Sequence, residues 1–219
     1  MNLFFYIKLR NQKRGNNMEK NEILKNCYTK SVEAYLGGNG YEGSNSHSGL
    51  YGADLTAKMR EITKACKIKG VTYSIRHCDS LTVKVKISDE DIVAYEDIAS
   101  QIENANFLNI CRGGWREDPK QPGSYIDVSK FWEMTAAEQN NAIKFWAKAW
   151  YKDAINGDFG SICHGWQLKK EKYPCFSEKF WDRWNALTKI VSSFNYDKSN
   201  SMVDYFETGF YEHWEIIKK

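Results

Sequence analysis

The chain reads as an α+β protein: a small antiparallel sheet, made of a β-hairpin plus a C-terminal strand, with several helices packed on it. Three observations predict this. Residues 71–77 and 80–88 alternate apolar and polar side chains with a period of two, as half-buried strands do. Five other segments repeat apolar residues every three or four positions, the spacing of one helix face. A last strand-like run lies far from the hairpin, near the C-terminal end. At 219 residues, with 42% hydrophobic residues and 3 Pro, the chain is long enough to bury one core and poor in linker composition.

The elements follow in order. Residues 19–36 place Leu24, Tyr28, Val32 and Tyr35 at helical spacing, and the glycines of Gly37-Gly38-Asn39-Gly40 end that helix. Residues 37–49 then read as a flexible Gly/Ser-rich connector; they contain no GxxxxGK[ST] and follow no strand, so they are not a phosphate loop. A second helix over 52–67 turns Leu55, Met59, Ile62 and Cys66 inward. In the hairpin, Val71, Tyr73 and Ile75 face Leu81, Val83, Val85 and Ile87 on the apolar side, joined through Cys78-Asp79. Ser88 is an N-cap, with Asp89, Glu90 and Asp91 set against the positive end of a helix that carries Ile92, Tyr95, Ile98 and Ile102. Residues 104–130 read as irregular, with Trp115 and Tyr125 pinning the loop.

Thr135-Ala-Ala-Glu138 has the form of a capping box and opens a helix that buries Ile143, Trp146, Trp150 and Ala154, stopped by Asn156-Gly157. Residues 176–194 form a strongly amphipathic helix with Phe180, Trp184, Leu187, Val191 and Phe194 in register. A strand from about 202 to 217 closes the chain.

Residues 1–17 read separately from the rest. Their apolar part precedes their basic part, the reverse of a secretory signal. "KRGNNM" fits codons for a purine-rich ribosome-binding site ahead of an ATG at Met18. Residues 1–17 are therefore expected to be a mis-assigned extension or a disordered leader, and 18–219 a single α+β domain. The leader holds Lys8, Arg10, Lys13 and Arg14 and no acid, so without these four the formal charge moves from +3 to −1. The charge argument for a nucleic-acid partner weakens accordingly. No apolar run approaches the ~18 residues of a membrane span.

The six cysteines (Cys27, Cys66, Cys78, Cys111, Cys163, Cys175) show no CxxC pair, which fits reduced, mostly buried thiols in a cytoplasmic protein. His77-Cys78 and Cys163-His164 are adjacent pairs rather than the spaced pairs of zinc sites, so no metal is expected. His47, His77, His164 and His213 form no HExxH, there is no GxSxG elbow, and Asp204 and Glu207 are placed to face opposite sides of a strand. No catalytic residue is assigned and no cofactor is expected; an uncharacterised enzyme stays as an alternative.

Two features carry binding potential. The polar face of the hairpin gathers Arg76, Lys84 and Lys86, either as edge lysines that deter aggregation or as an anion-binding surface. The segment "NYDKSNSMVDYF" (195–206) packs Asn195, Asp197, Ser199, Asn200 and Asp204 between aromatics. Asn and Asp side chains there can bond the nearby backbone, so the segment reads first as a cap and turn and second as a binding site.

Two stretches are similar to a known family. "GADLTAKMREITKACKIKGVTYSIRHCDSLTVKVKIS" (52–88) and "SSFNYDKSNSMVDYFETGFY" (192–211) resemble the opening and the closing signature of the large polyvalent protein-associated domain, the twenty-ninth of its series. Asn195, Tyr196, Asp197 and Ser199 match the first half of that closing signature, and Asp204, Tyr205, Phe206, Phe210 and Tyr211 the second. Lys198, Asn200, Val203 and Glu207 depart from it. The resemblance implies a passenger of phages, plasmids and conjugative elements that acts without catalysis. It would bind a host defence nuclease, a CRISPR or restriction effector, in the cytoplasm of the bacterial host. A nucleic-acid-binding domain of a polyvalent protein is the alternative. The expected surface combines Arg76, Lys84 and Lys86 with Asn195, Tyr196, Asp197, Asp204 and Glu207.

Overall fold

The computed structural model describes residues 20–76, 80–110, 114–156, 162–200, 202 and 206–218, and of 105–110 the backbone alone. The described elements run α1 (Lys20–Leu24), β1 (Thr29–Glu33), β2 (Asn39–Gly43), α2 (Gly52–Ala65), β3 (Val71–Arg76), β4 (Ser80–Ile87), α3 (Tyr95–Ile110), β5 (Trp115–Asp118), β6 (Gln121–Asp127), α4 (Ala136–Ile155), α5 (Glu178–Phe194), β7 (Tyr196–Asp197) and β8 (Tyr211–Lys218), with short 3-10 turns between them. The fold is α+β, with three small sheets ordered β1-β2-β7, β3-β4-β8 and β5-β6.

The core lies between the apolar face of the β3-β4-β8 sheet and the amphipathic helices. On the sheet, Tyr73, Leu81, Val83, Val85, Trp214 and Ile216 are buried; on α2, Leu55, Met59 and Ile62; on α5, Phe180, Trp184, Leu187, Ile190 and Val191. Each such side chain removed from water contributes about 1.5–3 kcal/mol. The rings of Trp184 and Trp214 meet at 4.9 Å between centroids and tie α5 to β8. Ser177 caps α5 by accepting from the Phe180 N–H at 3.4 Å.

The direction of β8 differs from the sequence expectation. It pairs with β4 in parallel, Ser80 opposite Tyr211 through Ile87 opposite Lys218, so the central sheet is mixed rather than antiparallel. Side-chain alternation is the same for either direction and says nothing about it. Parallel return needs a long crossover, and more than half of the chain, including α3, α4 and α5, lies between the two strands. The strand also begins at Tyr211, not near 202.

The helix expected over 19–36 stops at Leu24; residues 29–43 form the β1–β2 hairpin instead. Spacing of three or four among Leu24, Tyr28, Val32 and Tyr35 mimicked a helix face, but Tyr28 and Tyr35 are exposed. Thr29 and Val32 suit a strand, and β2 is held by β7 on its other edge. The presumed connector therefore contains a strand. Gly43 shows why this stretch is glycine-rich: a Cβ there would sit 2.3 Å from the Ser192 carbonyl oxygen and 2.4 Å from that of Ser193. In the turn, Leu36 takes a left-handed conformation (φ 54°) while 72% exposed. Leu36→Gly is expected to stabilise the protein by about 0.5 kcal/mol, the relief of left-handed strain outweighing the added chain entropy. A urea midpoint that fell would show that the Leu36 side chain does more than occupy the turn.

Residues 104–130 are more regular than expected. The α3 helix extends to Ile110, and β5 pairs with β6 in a hairpin anchored by the Trp146 indole, which donates to the Glu117 carbonyl at 2.8 Å. Trp115 and Tyr125 do not pin this segment; each is 65% exposed. Ser88 and Asp91 do form a capping box, but on a one-turn 3-10 helix, and α3 starts only at Tyr95. The buried Asp91 faces Arg183 at 3.1 Å, so this acidic trio serves a cap and an ion pair. The Thr135–Glu138 capping box of α4 is as read, with Trp146 and Ala154 buried and Ile143 and Trp150 partly so. Among the described cysteines, Cys27, Cys66 and Cys175 are buried and Cys163 is exposed, all unpaired. Among the described residues no helix is long and apolar enough to cross a membrane.

Candidate functional site

The hairpin cations do not form one patch. Arg76 stands opposite Ser80 at one end of the sheet, while Lys84 stands opposite Thr72 at the other. Four residues of strand separate the two registers, about 13 Å. Lys84 is also not a bare charge: its ammonium lies 2.7 Å from Glu215, its parallel neighbour on β8. That contact holds the Glu215 carboxyl below its ordinary pKa, against the opposing effect of burial, and His213 at 3.4 Å adds to it. The polar face is richer in hydroxyls (Thr72, Ser74, Ser80, Thr82) than in charge. Lys86 is exposed beside Ile217.

The 195–207 segment is mostly occupied with holding the fold together. Asn195 is fully buried: its Oδ1 accepts from the Tyr196 N–H at 2.9 Å and the Phe210 N–H at 3.0 Å. Its amide donates to the Phe210 carbonyl at 3.0 Å and to Glu212 Oε1 at 3.3 Å. The buried Glu212 carboxylate also accepts from the Trp214 indole at 2.8 Å and the Gly165 N–H at 3.4 Å. Asp197 accepts from the Ser199 N–H at 2.9 Å, the local turn the sequence suggested. Asn200 reaches across to the Tyr35 carbonyl at 2.7 Å, and Ser199 Oγ accepts from the Glu207 N–H at 3.0 Å. Asp204 lies outside the described residues. Glu207 borders an open groove beside Leu36 and Lys198.

One place brings the two candidate regions together. Where β3 ends, the first turn of α2, the α5–β7 corner and the run into β8 enclose a cleft of about 280 Å³. Leu55, Ile75, Phe194 and Phe210 make its apolar wall, and Arg76 and Tyr196 line it together with the hydroxyl-bearing Ser46 and Tyr51. Arg76 is exposed and, among the described residues, meets no carboxylate. The Tyr196 ring is held in place from several sides. It stacks with His47 at 6.4 Å between centroids, and Lys198 lies 5.8 Å above it. A Cβ added to Gly209 would come within 3.1 Å of it.

Glu42 organises this corner, a role sequence reasoning missed. It takes His47 at 3.0 Å, Lys30 at 3.3 Å and Lys198 at 4.0 Å. Burial pushes its carboxyl upward, but Lys30 and His47 outweigh that and leave it below the ordinary range. The missed signal was register: only the β1–β2 pairing places Lys30 opposite Glu42. Phe194 and Phe210 were legible as apolar, though not as walls of a cleft. Lys84, Lys86 and Glu207 are not among the groups that line it. Among the described residues no three His, Cys, Asp or Glu side chains gather as a metal-holding group. Compared with known proteins, the chain matches no family model, no curated protein and no solved structure.

Proposed function

We propose that the chain is a phage or mobile-element accessory protein that works by binding, and that its target is a host defence nuclease, a CRISPR or restriction effector, in the bacterial cytoplasm. One observation carries the binding reading. The two stretches that resemble the polyvalent-protein domain, far apart in sequence, converge on one cleft: Leu55, Ile75 and Arg76 come from the first, Phe194, Tyr196 and Phe210 from the second. The genomic setting implied by that resemblance supplies the class of target.

The test is inhibition of cleavage by a panel of purified CRISPR and restriction nucleases, with the chain from Met18 onward added in excess. Inhibition of one of them, weakened roughly tenfold by Arg76→Glu with Lys86→Glu and reduced by salt, is the expected result. Both residues are exposed, so the variant should melt like the parent. Inhibition of none removes the nuclease reading. A second reading, direct nucleic-acid binding, is favoured by the exposed Arg76 and Lys86 on a hydroxyl-rich sheet face. It requires a gel shift at moderate salt whose salt slope falls in the same variant.

A further inference from the structure

We infer that the cleft beside Arg76 is a receptor for a carboxylate carried on an apolar body of about single-residue size. This does not depend on the identity of any nuclease. Size comes first: about 280 Å³ lies at the bottom of the range for small-molecule sites, room for one large side chain rather than a nucleotide or a length of peptide. The wall then sets the body of the ligand, since Leu55, Ile75, Phe194 and Phe210 offer carbon to whatever enters. Charge sets its head. Among the described residues Arg76 is the one charged side chain lining the cleft, and a planar guanidinium matches the two oxygens of a carboxylate. A single cation balances a single negative charge, so a carboxylate suits the cleft better than a phosphate dianion.

The comparison within the sheet sharpens this. Lys84 on the next strand has its carboxylate supplied by Glu215 at 2.7 Å, whereas Arg76 has none among the described residues. Tyr196 presents a phenol at the same cleft, with its ring fixed by His47 and Gly209. A ring already fixed lowers the ordering cost of binding, which matters most for a ligand this small.

The source of such a carboxylate is either a free small molecule or the C-terminal residue of a partner chain, and the experiment separates them. Backbone amide NMR shifts are followed while N-acetyl-phenylalanine, its C-terminal amide, and an eight-residue peptide ending in phenylalanine are titrated into the protein. The expected result is saturable binding of N-acetyl-phenylalanine on the order of 1 mM, with shifts at Phe194 and Phe210. The amide binds at least about fivefold more weakly, and Arg76→Gln weakens the carboxylate by a similar factor while leaving the amide unchanged. A peptide that binds at least about tenfold more tightly than the single residue identifies a chain terminus as the source; equal or weaker peptide binding identifies a small molecule. The inference is overturned if no saturable shift appears up to about 20 mM, or if amide and carboxylate bind alike. It is equally overturned if Arg76→Gln leaves carboxylate binding unchanged.

Discussion

Replacing Asn195 by alanine is expected to cost about 3–5 kcal/mol, a large part of the ~5–15 kcal/mol that holds a domain of this kind together. The side chain is fully buried and makes four hydrogen bonds, to the Tyr196 N–H, to both polar groups of the Phe210 backbone and to Glu212. Alanine leaves those groups stranded with no water to replace the amide, and the Glu212 carboxylate loses one of its donors. The measurement is the urea midpoint with its slope. Asn195→Asp makes the cause visible, because it keeps the acceptor oxygen and turns the donor into a second acceptor facing Glu212. At neutral pH that variant should be at least as damaged as alanine. It should recover partly as pH falls through the carboxylate range, where the introduced aspartate takes up a proton and regains a donor. A loss below about 1 kcal/mol in Asn195→Ala would show that β8 is positioned by packing alone.

Gly43→Ala is expected to lose about 3 kcal/mol or more for a different reason. Its backbone conformation suits any residue; the obstacle is space. The new methyl would meet the carbonyl oxygens of Ser192 and Ser193 at 2.3 and 2.4 Å, and both belong to the last turn of α5. Backbone cannot swing aside as a side chain can, so β2 and α5 must separate. That would break the Gly43 N–H bond to the Asn195 carbonyl (2.9 Å) and the Asn45 N–H bond to the Ser193 carbonyl (2.6 Å). Gly49→Ala is the matched control: φ is +72° and nothing lies within 4 Å of the new methyl, so only about 1 kcal/mol of left-handed strain is expected. Thermal melts of the pair, with amide exchange at Tyr41 and Glu42, distinguish the mechanisms. Equal losses in the two variants would mean that the α5 contact is looser than the geometry implies.

Those two positions also show where the sequence was readable and where it was not. Elements whose identity rests on local pattern were legible: α2, α4 and α5 from their apolar stripes, the β3–β4 hairpin from strict alternation, the Thr135–Glu138 box from its spacing. What depended on partners far along the chain was not. Nothing in Thr29–Glu33, a strand with almost no buried side chain, announces that it will be held by its ladder with β2. Alternation cannot tell a parallel β8 from an antiparallel one. The same limit governs the site. Arg76, Lys84 and Lys86 were correctly seen as one polar face, but the Glu215 that occupies Lys84 becomes its neighbour only through the β4–β8 register. Asn195 and Asp197 were both read as local turn formers; that holds for Asp197, and Asn195 adds to its local bond with the Tyr196 N–H a reach of 17 positions ahead to Glu212.

The parallel return of β8 also sets an order of events while the chain is being made. The β3–β4 hairpin can close as soon as Ile87 has left the ribosome, but the outer edge of β4 then waits for more than half of the protein to be synthesised before Tyr211–Lys218 covers it. Contacts this distant are slow to form, and an uncovered strand of Leu81, Val83, Val85 and Ile87 invites pairing with a neighbouring nascent chain. Lys84 and Lys86 stand on that waiting edge, where like charges on two chains repel. For Lys84, the Glu215 that neutralises it in the finished protein is part of the strand that ends the danger.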